Sequence, residues 1–182
     1  MAGRAIGMDA RDAGPQEAVA RGRSRDAKPI IVHGTAVAHT GSALLLRGGA
    51  GSGKSALALQ MIALGATLVS DDRTCLNRSV DAILATPPLS LAGLIEVRGL
   101  GLLEVPHCAE AALIGVVDLD AAATERLPPA RTTSLLGRAL PLYRCGPGAH
   151  LASALVLCLK GARIVTDTVQ PQADRSQPRM DR

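Results

Sequence analysis

Gly48–Arg73, GGAGSGKSALALQMIALGATLVSDDR, decides how this chain reads. Its opening residues, Gly48, Gly49, Ala50, Gly51, Ser52, Gly53, Lys54 and Ser55, satisfy G-x-x-x-x-G-K-[ST] in full. Each residue type has a physical task. Glycines let the backbone curl until successive N–H groups point inward at phosphate oxygens. The helix that follows turns its positive end toward the same anion. Lys54 can reach terminal phosphates, and the Ser55 hydroxyl can complete a Mg²⁺ shell. The context fits: "SALLLRG" before the loop reads as a strand, and "KSALALQMIALG" after it as a helix apolar all round, with Gly65 as its stop. The expectation is nucleotide binding.

After that helix, "ATLVS" reads as a buried strand with Asp71 and Asp72 at its tip. An acidic strand end near a phosphate loop ordinarily orients a metal ion. Two neighbouring carboxylates can divide labour, one orienting Mg²⁺ or a histidine while the other takes a proton from an incoming hydroxyl.

Working outward, "PIIVHG" and "TAVAH" read as strands before the loop. Beyond it, "TCLNR" and "DAILATPP" read as a hairpin, "LIEVRGLGLLEVP", "AALIGVVDLD" and "ALPLYRC" as further strands, and "AHLASALVLCLK" as a closing helix. Few helices separate the strands after Asp72, so the expected fold is α/β with a mixed sheet. Residues 1–28 and 166–182 are polar and without period, and read as a flexible leader and tail around a folded unit of 29–165.

Composition narrows the function. The chain has 182 residues, enough for one buried core. With one Tyr and no Phe or Trp, it lacks the platforms on which single-stranded nucleic acid stacks. The net charge of +4 is dispersed, and "RGRSR" at Arg21–Arg25 is the one basic block. No apolar run is long enough to span a bilayer, so no nucleic-acid or membrane partner is expected, and the cytoplasm is the expected setting. Cys75, Cys108, Cys145 and Cys158 form no C-x-x-C pair, and "HCAE" has no second ligand group at metal spacing. A guanine-reading NKxD and an LSGGQ-like stretch are both missing from the sequence.

"HG", then "GSALLLRGGAGSGKSALALQMIALGATLVSDDR", then "LAGLIEVRGLGLLEVP" resemble the catalytic domain of HPr kinase/phosphorylase, in a compact form without the N-terminal domain of longer members. The resemblance runs from about Pro29 to Leu159, and Glu96–Gly101, EVRGLG, is close to a family signature. It implies a P-loop nucleotide-binding domain with a core like that of phosphoenolpyruvate carboxykinases. It implies ATP as phosphoryl donor, Mg²⁺, and serine phosphorylation of an HPr-type phosphocarrier of the phosphotransferase system, with a reverse, phosphate-dependent reaction giving pyrophosphate. It admits a homo-oligomer, since longer members assemble as hexamers.

By the same resemblance, Lys54 serves the terminal phosphates, and Ser55 and Glu96 the metal. Asp71 is the base for the serine proton, Asp72 a supporting carboxylate, His33 their neighbour, and Arg126 in "ERLP" an active-site arginine. Pro141–Gly146, PLYRCG, falls where the family has a segment tied to dephosphorylation, but lacks the "GRN" expected after it. Two other readings stay open: a P-loop small-molecule kinase, and a non-catalytic nucleotide-sensing regulatory module.

Overall fold

A computed structural model describes residues 28–121, 124–146 and 148–165. The leader, including Arg21–Arg25, and the tail therefore lie outside the described residues, apart from Lys28. Within them the order is β1 (Ile30–His33), β2 (Thr35–His39), β3 (Ser42–Arg47), α1 (Lys54–Ala63), β4 (Thr67–Ser70), β5 (Arg73–Arg78), β6 (Ile83–Thr86), β7 (Leu94–Val97), β8 (Gly101–Glu104), β9 (Ala111–Asp118), β10 (Thr132–Leu135), β11 (Arg138–Arg144) and α2 (Leu151–Leu159).

The main sheet runs β1-β5-β6-β9-β3-β2-β4, with β11 joined to β9 and β10 to β11. It is mixed, as expected. β3 and β11 lie parallel to β9, and the other pairings are antiparallel. β7 and β8 form a separate two-stranded sheet. Two features went unread in the sequence. "LIEVRGLGLLEVP" is a hairpin of β7 and β8, and the polar "TTSL" is β10, the antiparallel partner of β11.

Strand direction positions the site. β4 is antiparallel to β2, which is antiparallel to β3, so two reversals leave β4 running the same way as β3. β9 is parallel to β3, with Asp118 opposite Arg47. The C-terminal ends of β3, β4 and β9 therefore share one edge. The phosphate loop, Asp71 and the Asp118–Asp120 turn all leave from it.

Side chains alternate across the sheet, as the period of two requires. Leu44, Leu46 and Val117 face α1 and α2, where they pack with Leu57, Met61, Leu151 and Leu155. Ala43, Leu45 and Val116 face the other way, and pack with Val69, Leu76, Ile83 and Leu113. β4 and β5 are consecutive in sequence yet near opposite ends of the strand order, so the sheet curls over this second core. α1 ends as its sequence suggested. Gly65 and Ala66 donate to the Ile62 and Met61 carbonyls at 2.9 and 3.1 Å, the paired bonds of a glycine-terminated helix.

Candidate functional site: a phosphate loop facing two aspartates

The loop between β3 and α1 is braced from within and from a neighbour. Lys54, only 7% exposed, folds its ammonium back onto the carbonyls of Gly48 and Gly49, both at 2.8 Å. Gly53 sits at φ 94°, and its carbonyl accepts the Leu57 N–H at 2.9 Å, which starts α1. Outside the loop, both carboxylate oxygens of Asp120 lie 2.9 Å from the Gly49 nitrogen. Asp120 is a site residue that the sequence reading missed. Its one local signal was the acidic end of "VVDLD", the same hydrophobic-strand-then-acid pattern seen at Asp71.

The adjacent aspartates have different surroundings. Asp71 is buried, 6% exposed, and its Oδ1 accepts the Thr35 hydroxyl at 2.7 Å and the Ser55 hydroxyl at 3.0 Å. Its Oδ2 accepts the Glu96 N–H at 3.2 Å. One carboxylate thus ties the loop serine, β2 and β7 together. Asp72, at φ 59°, turns outward and meets His33 Nδ1 at 3.1 Å. Aspartate tolerates this left-handed conformation better than most residues. The Gly34 N–H donates to the Asp72 carbonyl at 2.9 Å, so β1 fixes both members of the pair.

These groups line a cleft of about 550 Å³. His33, Lys54, Ser55, Asp72 and Glu96 all face it, with Ala50, Gly51 and Gly53 of the loop. Gly48, Gly49 and Ser52 complete the loop without lining the cleft, and Asp71 stands behind it. Arg126 is exposed on the segment before β10 and is not among the residues that line the cleft. The lining arginine is Arg98. It occupies the turn between β7 and β8, closed by Leu100 N–H donating to the Val97 carbonyl at 3.0 Å. Gly99 follows at φ 84°, the third position of a type II turn, where a side chain is strained. That turn carries the guanidinium to about 4.0 Å from the position a Cβ on Gly51 would take.

Chemically, the cleft offers backbone N–H groups, two cations and a hydroxyl for phosphate oxygens. It also holds an exposed carboxylate–imidazole pair and one further carboxylate. A Mg²⁺ ion bound with phosphates uses one or two carboxylates plus water. Ser55, bonded to Asp71, and Glu96 in the same cleft fit that donor set. Among the described residues, no group of three or more His, Cys, Asp or Glu forms a metal cluster of its own. No helix there is long and apolar enough to cross a membrane.

Residues 25–114 match the family model described as HPr Serine kinase C-terminal domain. An HPr kinase/phosphorylase of Bordetella pertussis is 43% identical over 80 residues, covering 43% of this chain and 26% of that relative. The enzyme of the same name from Mycoplasmopsis pulmonis is 39% identical over 79 residues, covering 43% of this chain and 26% of its own length. The chain thus matches about a quarter of the length of these relatives. A solved structure, the Hpr(Ser) kinase/phosphatase from Coxiella burnetii, superposes with a TM-score of 0.64 at 23% identity. It covers 72% of this chain and 88% of that one, so the likeness of fold extends past the family match, which stops within β9. The segment from β1 into β9, with its phosphate loop and paired aspartates, is thus the part of the chain that is similar to the HPr serine kinase C-terminal domain.

Proposed function

We propose that this chain is an ATP-dependent protein serine kinase that phosphorylates an HPr-type phosphocarrier, and that the catalytic unit is the folded segment of about 29–165. The observation that carries the proposal is the linked geometry of the cleft. Ser55 of the phosphate loop is bonded to Asp71, while the next residue, Asp72, faces the cleft beside His33. The curated relatives bear the name HPr kinase/phosphorylase, which supports the same substrate class.

In the proposed reaction, the carrier's serine oxygen attacks the γ-phosphorus of ATP, the new O–P bond forms and the β–γ bridge breaks to release ADP. The serine proton must leave as this happens. The geometry favours Asp72 as its acceptor, rather than Asp71 as the sequence resemblance implied. Asp71 is buried and both its oxygens are engaged, whereas Asp72 is exposed to the cleft. His33 holds the Asp72 carboxylate from one side and orients it. Lys54 and Arg98 offset charge on the phosphoryl oxygens. Ser55, Asp71 and Glu96 are the residues that would hold Mg²⁺, which when bound neutralises phosphate charge. Arg126 is not among the residues that line the cleft, so the proposal gives that role to Arg98, which is.

The reverse reaction is proposed with it. Inorganic phosphate attacks the phosphoserine phosphorus and gives up its proton to Asp72, the serine oxygen–phosphorus bond breaks, and Asp72 passes that proton to the serine oxygen as pyrophosphate forms. A cytoplasmic setting and a homo-oligomer belong to the same proposal.

Intact-mass measurement of an HPr-type carrier incubated with this protein, ATP and Mg²⁺ tests the reading. A single phosphoryl addition on serine is expected. If ATP binds but no such carrier gains mass, the substrate assignment fails, and a small-molecule kinase or a nucleotide sensor takes its place.

A further inference from the structure

A second recess, of about 400 Å³, opens on the other flank of the phosphate loop. Its walls come from three separate segments: Ala56, Leu57 and Gln60 on α1, Leu119 after β9, and Ala149 and Leu151 at the start of α2. Leu57, Leu119 and Leu151 are each less than 9% exposed, so they form a fixed apolar wall rather than a mobile fringe. Gln60 is the one long polar side chain in it, one helical turn beyond Ala56 on the same face.

The two hollows meet. Both include Gly53 and Ala56, the residues that flank Lys54 and Ser55 at the start of α1. The first cleft holds the charged side chains suited to the terminal phosphates and the transferred phosphoryl. A triphosphate threaded along the loop must leave it at its other end, past Ala56, and there the charged side chains give way to Leu57, Leu119 and Leu151, with Ser52 and Gln60 as the polar ones. Size and character both suit a nucleoside: small-molecule sites are mostly apolar, with a few placed polar groups that fix orientation.

We propose that this recess is the nucleoside subsite and receives the purine base of ATP, with Gln60 reading its edge. The inference rests on the phosphate-loop reading of the cleft and extends it. A side-chain amide carries a donor and an acceptor side by side. That pair matches the amino group and N7 along one edge of adenine, where guanine presents two acceptors, N7 and O6, instead. The chain has a single Tyr and no Phe or Trp, so the base is gripped by aliphatic side chains instead of an aromatic stack. No local motif announced such a site, because its walls are more than 90 residues apart in sequence, from Ala56 to Leu151.

The test compares Mg-ATP with Mg-tripolyphosphate, which has the phosphates and no base. Calorimetry on the wild-type chain should find ATP at least ten-fold tighter. Gln60→Leu should weaken ATP about five-fold, the worth of one hydrogen bond, and leave tripolyphosphate within about two-fold. Because the chain has no Trp, Ala149→Trp places a single indole in the recess wall, and its emission should change with ATP and not with tripolyphosphate. Equal affinity of the two ligands for wild type, with no emission change on ATP, overturns the subsite and leaves the phosphate loop standing. Parallel loss of both ligands in Gln60→Leu also overturns it, since the variant then acts through the loop. If neither ligand binds the wild type, the phosphate-loop reading falls and takes the subsite with it.

Discussion

The Asp120 carboxylate, 71 residues away in sequence, clamps the Gly49 N–H between its two oxygens at 2.9 Å each. Asp120 is itself held by its own N–H donating to Asp118 Oδ1 at 3.0 Å. The clamp sits outside the cleft, so it shapes the phosphate loop instead of competing for the phosphate position. Without it, nucleotide binding must bear the ordering of that end of the loop. Asp120→Ala should raise KM for ATP about two- to five-fold, in line with roughly 0.5–1 kcal/mol for a solvent-exposed hydrogen bond. It should leave kcat within about two-fold. Steady-state kinetics separates the two, and an unchanged KM would show the clamp to be idle.

The unequal surroundings of Asp71 and Asp72 predict unequal variants. Asp72→Asn removes the proposed proton acceptor and keeps the shape, so kcat should fall about 10²–10⁴-fold with ATP affinity unchanged. Asp71→Asn reaches further. It swaps an acceptor-only carboxylate, engaged by Thr35, Ser55 and Glu96, for an amide that can serve only some of those donors. It should lower thermal stability as well as weaken Mg²⁺-dependent ATP binding. Melting curves and ATP titrations on both variants decide. If Asp71→Asn alone loses turnover while keeping stability, the two roles are reversed.

Much of this was legible because it is local. The phosphate loop, α1, its stop at Gly65 and the acidic end of β4 lie in one run of sequence, and each follows from residue type and spacing. What needed the fold was everything set by strand pairing. Asp120 reaches Gly49 only because β9 lies parallel to β3 with Asp118 opposite Arg47. Which aspartate faces the cleft depends on the backbone reversal at Asp72, and no spacing rule separates two adjacent identical residues. The arginine of EVRGLG was in view, but its position over the loop follows from the turn at Gly99, and "LIEVRGLGLLEVP" reads as easily as one long strand. β10 has two threonines and a serine among its four residues, and borrows its strand character from β11.

Gly34 predicts a stability loss at the entry to the site. A Cβ there would lie 2.8 Å from the Leu46 carbonyl oxygen, which is backbone of the strand feeding the phosphate loop and cannot swing aside. The Gly34 carbonyl also accepts the buried Thr74 hydroxyl at 2.8 Å. Gly34→Ala should destabilise by about 1–3 kcal/mol and displace His33 from Asp72. For comparison, Leu44→Ala, at a fully buried position against α1 and α2, should cost about 2–5 kcal/mol. It should leave the pH dependence of turnover as it is. Denaturant midpoints measure both, and a Gly34→Ala variant as stable as wild type would mean β1 shifts freely.

The last prediction concerns pH and the packing of α2. Tyr143 on β11, Cys145 after it and Cys158 on α2 are partly buried together. Burial pushes the Cys145 thiol above its ordinary 9.0, and the nearby Cys158 adds to the rise. Burial likewise raises the Cys158 thiol, and raises Tyr143 above 10.0 with both thiols contributing. In each case the fold disfavours the ionised form. Below pH 9 the thiols are protonated folded and unfolded alike, so their contribution to stability is fully present. Above it the unfolded chain releases protons first, and that contribution is lost as pH rises through the folded values. Melting temperature should therefore fall more steeply above pH 9 for wild type than for Cys145→Ala/Cys158→Ala. Near pH 7 both thiols should alkylate more slowly than a free cysteine, because the reactive thiolate is scarce. Rapid alkylation of Cys145 in the folded protein, or equal alkaline slopes for the two proteins, would show that α2 does not cover this cluster.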